Sequence, residues 1–169
     1  MVPRLLFPSP RVYLAVQVCS EVLQFCPEDD IALSRRRHAL NRYREHRCFV
    51  CGSNNTIGLH LQFQLEGDTT HTEFVPQPDH QGYDGVVHGG ILAAVMDDAM
   101  ANCLWLRGVA AVTAKMSLRY RESVHVGTRL QVYGRVVQER EKVAVAEGWM
   151  TTPAGKKLVE ATGTFFKLP

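Results

Sequence analysis

In the stretch HQGYDGVVHGGILAAVMDDAM (80–100), two kinds of group suited to carbonyl chemistry stand close together in the chain. Gly82, Gly85, Gly89 and Gly90 make a loop that can bring backbone close to a ligand. Gly89 and Gly90 then open an apolar helix, GGILAAVMDDAMANCLWL (89–106). The first N–H groups of a helix lack intrahelical partners, and its macrodipole is positive at that end. Such an end suits a carbonyl oxygen that turns negative during a reaction. Further along, Asp97 and Asp98 interrupt the apolar run. Desolvating a carboxylate costs several kcal/mol, so either this helix has a wet face or the aspartates serve chemistry. A partly desolvated carboxylate can activate water. Asp98, about 100° further round the helix, shares a face with Asn102 at i+4, and a local bond or solvent accounts for it.

These groups need elements to hold them. Upstream, Leu59, Leu61, Phe63 and Leu65 alternate with His60, Gln62, Gln64 and Glu66, the pattern of a half-buried strand. Gly67-Asp68 turns the chain into a second strand over 70–75, and a loop over 76–87 leads to the helix. Four further strands are predicted at 112–121, 129–138, 142–151 and 157–167. In the first of them Val112, Ala114, Met116, Leu118 and Tyr120 share a face, with Thr113 on the other. Short turns demand antiparallel pairing. A helix apolar on nearly every side must be wrapped by that sheet. The expected architecture is α+β: a curled antiparallel sheet of about six strands round one long central apolar helix.

That domain is expected over 48–169, preceded by an extension, 1–47, whose segment SRRRHALNRYREHR (34–47) reads as a basic helix capped by Ser34. The chain has 169 residues and a net charge of +2. Residues 1–47 carry eight Arg against five acids, and 48–169 carry eleven Lys and Arg against twelve acids, so the body is no nucleic-acid footprint. No apolar run is long enough for a membrane span. Pro3, Pro8 and Pro10 break any signal-peptide pattern, and a cytoplasmic protein is expected. Five cysteines, an odd number, argue against a disulfide framework. Cys48-x-x-Cys51 lacks the second Cys pair of a structural zinc site, and His46 and His60 would complete a set only by coincidence. A redox motif would sit at a strand-to-helix step of a βαβ unit, which is missing. Packed thiols are expected, with no metal.

The His88-Gly89-Gly90 triplet, with an acidic residue nine positions after the His at Asp97, resembles the hotdog-fold acyl-CoA thioesterases, in particular the phenylacetate-pathway-type branch. The segment CFVCGSNNTIGLHLQF (48–63) is similar to the Cys-x-x-Cys-Gly opening of bacterial members, and the likeness covers about 48–169. It implies that Asp97 is general base or nucleophile, that the Gly89 N–H is the oxyanion donor, and that His88 helps place the thioester. Thr113, sixteen positions after Asp97, would orient water. Where other members carry Asn, this chain has Gly82, leaving Gln81 as the nearest polar substrate-binding candidate beside Gly90. Arg119, Arg121, Lys156 and the 35–47 run are candidates for the CoA phosphates. No metal or cofactor is required.

From Gly89 to Asp97 a helix rises about 12 Å. If both act on one thioester they come from different subunits, which implies a homodimer with composite sites, or a dimer of such dimers. Two other readings share the fold: a non-catalytic acyl-CoA-binding or sensing module, and an enoyl-CoA hydratase or dehydratase using His88 as its base.

Overall fold

The computed structural model describes residues 46–169. The expected extension over 1–47 and its basic helix fall outside these but for residues 46 and 47, which are irregular.

The elements run β1 (Gln64–Glu66), β2 (Thr69–Phe74), a 3₁₀ turn (Pro78–His80), β3 (Gln81–Tyr83), β4 (Val86–Val87), α1 (Gly89–Trp105), β5 (Ala111–Tyr120), β6 (Leu130–Glu139), β7 (Val143–Thr151) and β8 (Lys157–Lys167). Six strands make one sheet in the order β1-β2-β6-β7-β8-β5, antiparallel throughout. The helix buries Leu92, Val95, Met96, Ala99, Met100 and Leu104 in the same core as Leu130, Val132, Ala146, Met150 and Phe165 of the strands. This is the expected architecture. No helix among the described residues is long and apolar enough to cross a membrane.

Two local expectations need correction. The first strand pairs only over Gln64–Glu66 instead of from residue 59. His60 sits at φ 54°, outside strand geometry. The N–H groups of Leu59 and Leu61 donate to the carbonyls of Phe49 and Val50, both at 2.8 Å. The alternation there survives as burial of Leu61 and Phe63, not as a ladder. The expected loop over 76–87 contains the 3₁₀ turn and the β3–β4 hairpin. Val87 N–H holds that hairpin to the carbonyl of Val124 at 2.9 Å.

Glycine lets the helix lie close on the sheet. A Cβ at Gly134 of β6 would stand 2.5 Å from the carbonyl oxygen of Ala99 and 2.9 Å from Thr70 Oγ1, which itself donates to that carbonyl at 2.9 Å. Neither backbone can yield without moving α1. Gly134→Ala is expected to lower the unfolding free energy by about 2–3 kcal/mol, read from the midpoint of urea denaturation at unchanged slope.

One irregularity matters for the site. Along β5 and β8 the register slips between Thr113, opposite Phe165, and Lys115, opposite Thr164. Ala114 is the extra residue of a bulge, and the faces of β5 exchange across it. Thr113 therefore lies on the side of buried Phe165, as do Met116, Leu118 and Tyr120 opposite Gly163, Ala161 and Val159. The strict alternation expected from the sequence would have put it on the opposite face from those three. Beyond β5, no further strand pairs with its other edge among the described residues.

Candidate active site

The loop before α1 is shaped around His88. This residue is the N-cap of the helix at φ −63°, ψ 129°, and its Nδ1 accepts the Gly90 N–H at 2.8 Å. A Cβ on Gly82 would lie 3.1 Å from His88 Cδ2 and 3.2 Å from its Cα, so a larger residue at 82 would press on the cap. Gln81 is engaged locally, its Oε1 accepting the Gly85 N–H at 3.0 Å across the β3–β4 turn. Gly89 is the first helical residue, and its N–H meets no acceptor among the described residues. Its carbonyl accepts the Tyr120 hydroxyl at 2.8 Å, a contact the sequence did not announce. A cavity of about 360 Å³ lined by Val86, Gly89, Leu92, Tyr120, Arg121 and Val124 opens at this helix end. An unused amide at a positive helix terminus beside a cavity can receive a developing oxyanion.

Two turns further along, Asp97 is half-buried and its Oδ1 accepts the Thr113 hydroxyl at 2.7 Å. The bulge at Ala114 makes that contact. Burial raises the carboxyl above its ordinary value, with neighbouring Asp98 adding to the rise and the Thr113 hydrogen bond opposing it. Asp97 lies on a helical stripe with Gly90, Ala94 and Ala101 that the sheet of its own chain leaves partly open. The structure thus unites Asp97 with Thr113, and His88 with Gly89 and Gly90. Along one helix it keeps these pairs about 12 Å apart.

Of the candidate cations, Arg121 borders the cavity at Gly89. Arg119 alternates with Leu118 and Tyr120 and so points away from α1, with no acid partner among the described residues. Arg121 is held by Glu160, with Nε 2.7 Å from Oε2. Lys156 Nζ lies 2.7 Å from Glu122.

Asp98 is neither solvated nor merely paired with Asn102. It is 7 % exposed, and its Oδ2 accepts Asn102 Nδ2 at 3.1 Å while Oδ1 lies 3.6 Å from Cys48 Sγ. Donor atoms of Cys48, Cys51 and Asp98 all lie within 4.8 Å of one another. The sequence holds the Cys pair and the aspartate about fifty residues apart and nothing in its spacing joins them.

Residues 84–158 match the model of the thioesterase superfamily. A search of the curated proteins finds no match. Among solved structures, a hypothetical thioesterase protein with coenzyme A from Streptococcus pneumoniae is 21% identical, with a TM-score of 0.60 over 64% of this chain and 85% of that one. Structures of that pneumococcal protein include an Asp-to-Ala and a Thr-to-Ala mutant at positions sixteen residues apart. The PaaI protein from the phenylacetic acid degradation operon of E. coli is 16% identical, with a TM-score of 0.60 over 64% and 83%. The thioesterase superfamily protein RHA08564 gives a TM-score of 0.67 at 20% identity, over 91% and 79%.

Proposed function

We propose that this chain, a hotdog-fold member of the thioesterase superfamily, hydrolyses a CoA thioester to free acid and CoA in composite sites between two protomers. The observation that carries the reading is the Asp97–Thr113 hydrogen bond on the open stripe of α1. Across the bulge at Ala114, Thr113 reaches a carboxylate on the stripe that the sheet of its own chain leaves partly open. The aspartate and threonine altered in the pneumococcal protein stand at the separation of Asp97 and Thr113, which supports the same pairing here.

In this scheme Asp97 of one protomer accepts a proton from water as its oxygen attacks the thioester carbon. The carbonyl oxygen becomes an oxyanion against the Gly89 N–H of the other protomer. The intermediate collapses by breaking the carbon–sulfur bond, and the proton passes from Asp97 to the departing thiolate. Thr113 fixes the carboxylate through Oδ1, leaving Oδ2 for the water. His88, by capping Gly90, sets the angle at which the Gly89 amide points. Arg119, which has no acid partner among the described residues, and Arg121, which borders the cavity at Gly89, are the cations offered to the phosphates of CoA.

Three features support dimerisation. The helix stripe of Gly90, Ala94, Asp97 and Ala101 is small enough for a second helix to approach. Among the described residues no strand covers the outer edge of the ten-residue β5 beside it, and pairing with a twofold mate would remove that liability. The rise between Gly89 and Asp97 is spanned when two such helices lie antiparallel.

Release of thiol from a panel of aliphatic and aromatic acyl-CoAs tests the activity; binding without release would instead make the chain a non-catalytic acyl-CoA module. Within it, Thr113→Val is expected to lower kcat by about ten- to a hundredfold with KM little changed, because the base loses its orientation and the substrate contacts stay.

A further inference from the structure

We propose that Cys48, Cys51 and Asp98 form a zinc site that clamps the segment ahead of β1 onto the central helix. It lies outside the hydrolytic machinery and would hold whatever reaction the chain performs.

The donors are already assembled. The two sulfurs and a carboxylate oxygen lie within 4.8 Å of one another, and Cys48 Sγ is 3.6 Å from Asp98 Oδ1. A tetrahedral zinc with sulfur at about 2.3 Å and carboxylate oxygen at about 2.1 Å sets that pair about 3.6 Å apart. The observed separation of Cys48 Sγ and Asp98 Oδ1 equals that value.

The turn that carries the sulfurs is built for this convergence. Gly52 N–H donates to the Cys48 carbonyl at 3.0 Å, folding Cys51 back beside Cys48. A Cβ at Gly52 would stand 2.4 Å from Cys48 N and 2.6 Å from the His46 carbonyl oxygen, so only glycine admits the turn. On the helix side, Asn102 Nδ2 holds Asp98 Oδ2 at 3.1 Å, as an outer hydrogen bond fixes a ligating carboxylate. The Cys pair and the aspartate come from distant parts of the chain, and Cys51 and Asp98 are 2 % and 7 % exposed. Two thiols among three donors select zinc over magnesium or calcium. Cys48 is only partly buried, and water supplies the fourth ligand in this proposal. Binding takes both sulfurs as thiolates, any proton they still hold passing to solvent.

The test is metal content. Full-length protein prepared in zinc-supplemented medium and gel-filtered should carry about one zinc per chain by plasma mass spectrometry. Cys51→Ser and Asp98→Asn should each lower zinc affinity by about tenfold or more. Should either variant fail to fold, the unaltered chain, stripped with chelator and titrated with cobalt(II), decides the matter. Thiolate-to-cobalt charge transfer and tetrahedral visible bands saturating near one equivalent support the site. Metal-free protein from zinc-rich medium together with a cobalt titration lacking those bands overturns it. So does a Cys48–Cys51 disulfide found by alkylation and mass analysis in freshly prepared protein. None of these readings involves thioester hydrolysis, so they stand or fall apart from it.

Discussion

Asp97→Asn should retain the folded protein and lower kcat/KM for thioester hydrolysis by about 10²–10⁴-fold, with most of the loss in kcat. Asparagine keeps the shape of the side chain and an oxygen able to accept the Thr113 hydroxyl, so the 2.7 Å contact can persist. What disappears is the capacity to take a proton from water. Stability should change little. The carboxylate is half-buried and its proton affinity is raised by that burial, so its charge is no asset to the folded state. Single-turnover and steady-state rates of thiol release, beside a thermal melt of both proteins, check the two halves of this expectation. Hydrolysis at the rate of the unaltered chain would place the base elsewhere. An unaltered chain that binds acyl-CoA and releases no thiol would remove the hydrolase reading altogether.

The reason this aspartate can be singled out lies partly in the sequence and partly beyond it. The apolar run from Gly89 announces one buried helix, and the structure ends it at Trp105. The strands expected at 112–121, 129–138, 142–151 and 157–167 form within a residue of those bounds, because period-two alternation and the tight turns between them are local signals. Local signals also mark the glycine pair and Asp97. The bulge at Ala114 leaves no such mark. One residue of slip depends on how β5 fits against β8, and alternation read in isolation therefore turned Thr113 away from the helix. The same holds for His60, whose positive φ lies in a stretch that makes no ladder although the apolar pattern continues through it. Asp98 is a third case. Its nearest sequence neighbour of interest is Asn102, one helical turn on, and that bond does form. Its approach to Cys48 requires the segment before β1 to cross the helix, a tertiary event that residue spacing cannot encode.

The composite arrangement has a sharper consequence, reached through Gly89. Replacing it by proline deletes the N–H proposed to meet the oxyanion and little else. Gly89 is the first helical residue, where proline is well tolerated because its N–H has no intrahelical acceptor. His88 already has ψ 129°, the extended conformation that a following proline favours. A Cβ at 89 meets Tyr120 Oη at 3.4 Å, an ordinary contact. Gly89→Pro alone should therefore lower kcat by about 10²–10³-fold, the effect of losing one oxyanion donor. Now let Gly89→Pro and Asp97→Asn chains be refolded together in equal amounts. If a site takes its amide from one protomer and its carboxylate from the other, each mixed dimer holds one site with both groups intact and one with neither. Half the dimers are mixed, so hydrolysis should return to about a quarter of the level of the unaltered protein. Were the two groups to serve a site within one chain, every site in the mixture would lack one of them, and activity would stay at the average of the two variants. Recovery is thus read against a background at least tenfold lower, and it tests where the groups meet independently of which acyl chain the cavity accepts.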